Sequence, residues 1–186
     1  MMMPPRLRKF ALAVHITLAV AWIGAVASYI ALDVAAATSR DTQTLRAAYL
    51  GMEIIAWYVI VPLALASLLS GLVMSVGTKW GLFRHYWVLI SLLLTIIATV
   101  VLLVETQTIS TFRNIAANPT TSGDDLRALG NTLVHSVGGT VVLLVIVVLN
   151  VYKPRGMTSY GWHKQQEERR ASQRIEQDEQ RKVSQP

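Results

Sequence analysis

Residues 10 to 32 read FALAVHITLAVAWIGAVASYIAL, an apolar run interrupted by one strongly polar side chain, His15. As a helix rising 1.5 Å per residue the run is about 34 Å long, enough to cross a hydrocarbon core of about 30 Å. An imidazole at that depth is costly unless it faces a bundle interior or a cofactor, which makes His15 the first candidate for function. His15, Trp22 and Tyr29 recur every seven residues and Asp33 lies eighteen beyond His15, so the four share one helix face. Taken alone, the two aromatics read as packed core. A neighbouring stripe of small residues, Ala21, Gly24, Ser28 and Ala31, is expected to let a second helix approach closely.

The rest of the composition agrees with a membrane chain. Of 186 residues 53% are hydrophobic and 15% charged, and the apolar residues fall in long blocks. Cysteine is absent, which excludes disulfides, thiolate metal sites, iron–sulfur clusters and covalently attached c-type haem. The net charge of +6 comes from basic residues that flank apolar blocks or alternate with acidic ones in the tail. A lipid surface, and not nucleic acid, is the partner this pattern fits. Ala25-Val26-Ala27 has the small-x-small form of a secretory cleavage site, but the apolar run continues to Leu32, so the segment reads as an uncleaved helix.

Three further spans follow. The second covers residues 54 to 76, with Asp41 as N-cap for its helix, a kink expected at Pro62, and a close-packing stripe of Ser67, Gly71 and Ser75. The connection GTKWGLFRHYW sets Lys79, Arg84 and His85 beside Trp80 and Trp87, an interfacial turn with aromatic anchors. The third span covers 86 to 104; Ser91, Thr95 and Thr99 share a face there and are expected to bond carbonyls of the preceding turn. Asn118-Pro119 ends that helix, and Ser122 with Asp125 forms a capping box for a new one, expected to run into the fourth span at 133 to 151. From His163 the chain is too polar to bury a core.

These features predict an all-α polytopic membrane protein, an up-down-up-down four-helix transmembrane bundle. A flank at 1–9 and a polar tail at 157–186 bracket a transmembrane domain at 10–156. Thirteen Lys and Arg fall on the side of the termini and four on the other. That asymmetry places both termini in the cytoplasm of a bacterial inner membrane.

Folding the spans in this order puts His15, Met74, His85 and Asn150 at one depth, and Asp33, Glu53, Glu105 and His135 at another. The inner group suits haem b, which takes one or two neutral His or Met ligands in an apolar slot and needs no cysteine. His15 is the first ligand, with Met74 or His85 as the second. At the outer depth, His135 with Met52 or the carboxylates is a place for a second haem, a quinol head group or a divalent metal. No nucleophile motif, phosphate loop or zinc signature is present. The expected function is haem b binding in electron transfer or in tetrapyrrole or quinol redox chemistry, with a quinone as partner. The alternative is a non-enzymatic subunit or scaffold in a larger membrane complex or homo-oligomer. A transporter ranks last, because the two halves show no inverted repeat.

The pattern His15-x6-Trp22-x-Gly24, the segment SGLVMSVGTKWGLFRHYW and the closing NVYKPRGMTSYG resemble a family of predicted four-span bacterial membrane proteins over most of residues 8 to 162. The first-helix signature is more distantly similar to HemJ-type protoporphyrinogen oxidases and the copper-resistance D membrane domain. That similarity implies a haem b ligand at His15, with Trp22 in the cofactor site, and a redox role. The oxidases place a lysine four residues after a tryptophan in the third helix, where this chain has Ser91 after Trp87. The resemblance therefore reaches haem ligation and stops short of the oxidase chemistry.

Overall fold

The computed structural model describes residues 3–77 and 81–184; Lys79 and Trp80 of the interfacial turn lie outside them. Six helices follow in order: α1 (Pro5–Thr38), α2 (Thr42–Gly77), α3 (Tyr86–Ala117), α4 (Gly123–Ala128), α5 (Leu133–Tyr152) and α6 (Ser159–Ser184). Among the described residues there is no strand, and α1, α2, α3 and α5 are each long and apolar enough to cross a membrane. The expected all-α four-span architecture is therefore present.

Local chemistry sets the boundaries. Pro5 occupies the first turn of α1, where its missing N–H costs nothing. The Asp41 carboxylate caps α2 by accepting from the Thr44 amide at 2.8 Å. Pro62 has no N–H to return to the preceding turn, and the helix widens into a π turn over Ala56–Ile60, closed by the Val61 amide on the Ala56 carbonyl. The disturbance expected at Pro62 takes this form, and α2 continues through it. Asn118 ends α3 directly before Pro119. Ser122 and Asp125 make the expected capping box in both directions, at 3.1 and 3.2 Å.

The helix started by that box does not run on into the fourth span. It stops at Ala128, Gly130 takes a left-handed φ of 82°, and α5 starts afresh at Leu133. Glycine alone adopts that conformation without strain, so Gly130 is the hinge between two separate helices.

The four spans form a square: α1 packs against α2 and α5, and α3 packs against the same two. Helices α1 and α3 thus face each other across the diagonal. The most deeply buried side chains, Tyr49, Leu45, Met52, Leu126, Thr106 and Asp33, gather toward the end opposite the termini, here the distal end. Large apolar side chains such as Leu69, Val100 and Val134 point outward, as suits a surface whose solvent is hydrocarbon.

Of the two small-residue stripes, Ser67, Gly71 and Ser75 pack as expected, with His15 lying over Gly71. The other does not. Ala21, Gly24, Ser28 and Ala31 are exposed, and nothing lies within 4 Å of where a Gly24 side chain would begin. Helix α1 instead turns Trp22, Ala25, Val26 and Tyr29 inward. Small residues permit close approach but offer little contact area, and dispersion favours burying the aromatic face.

The third-span hydroxyls bond backwards as expected, Thr95 to the Ser91 carbonyl at 2.7 Å and Thr99 to the Thr95 carbonyl at 2.8 Å. Helix α6 is the exposed polar tail. It is tied to the α2–α3 connection by the Thr158 amide on the Arg84 carbonyl at 3.0 Å, the Thr158 hydroxyl on the Phe83 carbonyl, and an Arg84–Glu168 ion pair at 2.8 Å.

Candidate functional site

Between α1, α2, α3 and α5, toward the distal end, lies a cavity of about 290 Å³. Trp22, Val26 and Tyr29 form its α1 wall, Leu102 and Glu105 part of its α3 wall, and Thr132, His135, Ser136, Gly138 and Gly139 its α5 side. Rim residues Val134, 81% exposed, and Ile97, 49% exposed, open it sideways on the lipid-facing surface. A cavity of about 150 Å³ already holds benzene, so this one has room for a single substituted ring.

Two polar groups interrupt the apolar wall. On α3, Glu105 places one carboxylate oxygen 3.5 Å from His135 Nε2. Its other oxygen is buried and has no hydrogen-bond partner. His135 stands at the rim with its side chain 56% exposed. On the α1 side, the Tyr29 hydroxyl lies 2.8 Å from Thr132 Oγ1. Thr132 donates its hydroxyl to Asp33 Oδ2 at 2.9 Å and its amide to Oδ1 at 3.1 Å, and Ser136 adds a third donor at 3.1 Å. Because the Thr132 proton is committed to Asp33, the Tyr29 O–H must donate to Thr132. Asp33 is fully buried and caps the start of α5 from a different helix, stabilised by that helix's N-terminal dipole.

The outer group expected from depth thus separates into three. Glu105 and His135 meet; Asp33 is held by α5; Glu53 pairs with Arg113 at 3.0 Å. Among the described residues no group of three or more His, Cys, Asp or Glu could hold a metal ion. Met52, weighed as a partner for His135, is buried in the core.

The inner group has separate partners. His15 Nδ1 lies 2.9 Å from Ser70 Oγ, which donates onward to the Ser67 carbonyl at 3.0 Å. When the Ser70 proton goes to the Ser67 carbonyl, Nδ1 carries the ring hydrogen and Nε2 a lone pair. Met74 is half-buried one turn beyond Ser70 on α2. His85 sits at the N-cap of α3, bridged to Met157 and 6.3 Å from the Trp87 ring, outside the bundle interior. Asn150 donates to Ser91 at 3.2 Å and to the Ile146 carbonyl at 2.7 Å. Of the five residues singled out for cofactor binding, Trp22 and His135 line the cavity; His15, Met74 and His85 do not.

Tyr29, Thr132, Ser136 and Arg46 were not singled out from the sequence as site residues. Tyr29 carried a signal, the shared face with His15 and Trp22. Thr132 and Ser136 carried none, being ordinary hydroxyl residues at a helix start. Arg46 clamps the distal loop, donating to the carbonyls of Ala116, Asn118 and Thr121 at 2.6, 2.6 and 2.5 Å and to that of Pro119 at 3.4 Å. A single arginine in a polar loop does not announce that role.

No curated protein and no solved structure matched the chain. The family described as "Predicted integral membrane protein (DUF2269)" matches residues 10–154. That match spans all four membrane helices and the cavity between them, and the chain belongs to this family of predicted integral membrane proteins.

Proposed function

We propose that this integral membrane protein binds a lipophilic ligand with a single-ring, hydroxyl-bearing head of the quinol class, entering the cavity sideways from the bilayer. The observation that carries the reading is a carboxylate, Glu105, among the residues lining an almost wholly apolar cavity, with one buried oxygen that has no hydrogen-bond partner. A carboxylate oxygen removed from water is expensive to leave unbonded, and a ligand O–H supplies the missing hydrogen bond. His135 stands beside Glu105 and is half-exposed at the rim. Both termini in the cytoplasm of a bacterial inner membrane complete the proposal, on the Lys/Arg asymmetry alone.

The test uses full-length protein in lipid nanodiscs and an alkylated bromophenol, whose bromine quenches nearby indoles. Saturable quenching is expected, and Trp22→Phe should remove most of it, because Trp22 lines the cavity. Quenching that never saturates, or that survives Trp22→Phe unchanged, overturns the reading.

A second reading, haem b held by His15, is favoured by one observation. The Nδ1 contact with Ser70 is compatible with the tautomer in which Nε2 carries the lone pair, the arrangement that hydrogen-bonding partners give a metal-ligating histidine. His15 would be the residue that holds the haem iron, and the first-helix resemblance points the same way. A haem there would supply one-electron redox chemistry. After haem-supplemented expression a Soret band that His15→Ala removes or shifts supports it; no Soret band refutes it.

A further inference from the structure

The end of the bundle that carries the termini is a cationic collar. The chain has no Asp or Glu in residues 1–32, 54–104 or 134–166, so the half of each span nearer the termini carries no negative side chain. Arg6, Arg8 and Lys9, all exposed, open α1, and the Met3 amide on the Gly77 carbonyl at 3.1 Å ties that start to the end of α2. Exposed Lys153 and Arg155 follow α5, and exposed Lys164 lies in the second turn of α6. The segment joining these helices is laced to the α2–α3 connection, the Tyr86 amide donating to the Gly156 carbonyl at 3.3 Å and the Thr158 amide to the Arg84 carbonyl at 3.0 Å. Gly161 then passes so close to the Arg84 backbone that a Cβ there would overlap its carbonyl oxygen. These contacts hold the root of α6 against the bundle.

Exposed aromatic rings lie on the same segments: Phe83, Tyr86, Tyr152, Tyr160 and Trp162. Such rings between apolar spans and a polar tail mark the headgroup layer. Lys164 Nζ stands 5.8 Å from the centre of the Tyr160 ring, so a cation and a ring share that level. Farther out the pattern changes. Beyond Gln166 the described side chains of α6 are all exposed, and five Lys or Arg there are cancelled by five Asp or Glu. The uncompensated charge is thus confined to the level of the rings, where it complements anionic headgroups.

We infer that this collar retains anionic phospholipids, Arg155 and Lys164 meeting the headgroup phosphate while Tyr160 and Trp162 sit at the glycerol level. Those lipids seat the root of α6 in the membrane surface, and its outer part stands in water.

The experiment uses the full-length protein in nanodiscs of phosphatidylglycerol and phosphatidylcholine in equal amounts, with identical acyl chains. Native mass spectrometry of the protein released from them counts the lipids it keeps. Phosphatidylglycerol should be kept at least about tenfold over phosphatidylcholine, since each cation near the surface favours an anionic one by about fivefold. Arg155→Gln with Lys164→Gln should cut the preference to about threefold or less. Arg170→Gln with Arg174→Gln, the same loss of charge in the outer helix, should leave it within about twofold of the parent. Equal retention of the two lipids overturns the inference. So does an equal fall in both double variants, which would make net charge alone the cause. A preference abolished by inorganic phosphate at matched ionic strength points to a free-phosphate site and overturns the lipid assignment. Amide exchange tests the seating: residues 160–166 should exchange at least about fivefold more slowly on phosphatidylglycerol than on phosphatidylcholine, with 170–184 alike on both. Exchange of 160–166 that ignores the lipid overturns it.

Discussion

Replacing Arg46 with alanine tests how the distal end of the bundle is held together. The last carbonyls of α3 have no partner within their own helix and carry its negative dipole end. The Arg46 fork bonds four of the carbonyls where α3 gives way to the following loop: Ala116, Asn118, Pro119 and Thr121. Asn118 and Pro119 are exposed, and water replaces the guanidinium there at little cost. The bonds to Ala116 and Thr121 are part-buried, and a bond from a charged donor contributes at least about 1.5 kcal/mol at such positions. The two together give about 3 kcal/mol, or about a hundredfold in the local opening equilibrium of the segment 118–132. Hydrogen–deuterium exchange in nanodiscs reads this directly: amides of 118–132 should exchange about a hundredfold faster in Arg46→Ala, while those of residues 20–30 stay unchanged. Arg46→Lys keeps the charge but not the planar fork, and should recover only part of the protection. Exchange within threefold of the parent in Arg46→Ala, or full rescue by lysine, would show that the clamp is not what closes the loop.

Three further outcomes are expected. A side chain begun at Gly138 meets no atom within 4 Å, and that residue lines the cavity, so Gly138→Leu should keep or raise the melting temperature, since glycine costs a helix about 1 kcal/mol. It should also weaken phenol binding at least tenfold; a variant that binds normally places the ligand elsewhere. Hydrogen bonds from the Thr44 side chain and amide hold the Asp41 carboxyl below its ordinary range, and those from Ser122 do the same for Asp125. A lowered folded value means these caps stabilise fully above the ordinary carboxylate value near 3.9 and fade as pH falls through the folded one. Amides of 42–46 and 122–128 should then keep constant protection from pH 8 to 5 and lose it only below about pH 4; fraying that begins near neutrality contradicts the capping. Finally, the chain has no cysteine, so single cysteines at Ser122 and Ser172 report sidedness without background. An impermeant maleimide should label Ser122→Cys on intact cells and Ser172→Cys only after lysis, and the reverse pattern inverts the topology.

How far the sequence could be read follows from what hydropathy measures. A span's position along the chain gives each residue a height in the membrane, and the heights came out right: Asp33, Glu53, Glu105 and His135 all lie toward the distal end. Which of them meet depends on the rotation of each helix about its axis, and that is set by packing partners a single sequence does not name. Helix α1 advertised its rotation through the shared face of Trp22, Tyr29 and Asp33, and α2 through the stripe that includes Ser67 and Ser75; these residues are indeed buried. The stripe at Ala21 and Gly24 gave a false bearing because small side chains tolerate a neighbour without attracting one. Gly130-Asn131 is a turn signal, but the apolar periodicity on either side outweighed it, and the break before α5 went unread. The cavity was illegible for a different reason. It is made by what does not fill it, and Gly138 and Gly139 look the same in sequence whether a helix or a void lies opposite.

The distinction between Asp33 and Glu105 shows what the structure adds. In sequence they are two carboxylates of similar depth with equal claims to function. Asp33 receives three donors, one of them the backbone amide at the start of α5, so its charge is spent on holding two helices in register. Replacing it would break a cap. Glu105 has one oxygen toward a rim histidine and another that is buried with no hydrogen-bond partner. A fold selected for stability alone loses by keeping that oxygen unbonded, since glutamine or leucine there would cost less. On the function proposed above, a donor bound in the cavity that Glu105 lines is what offsets that disadvantage.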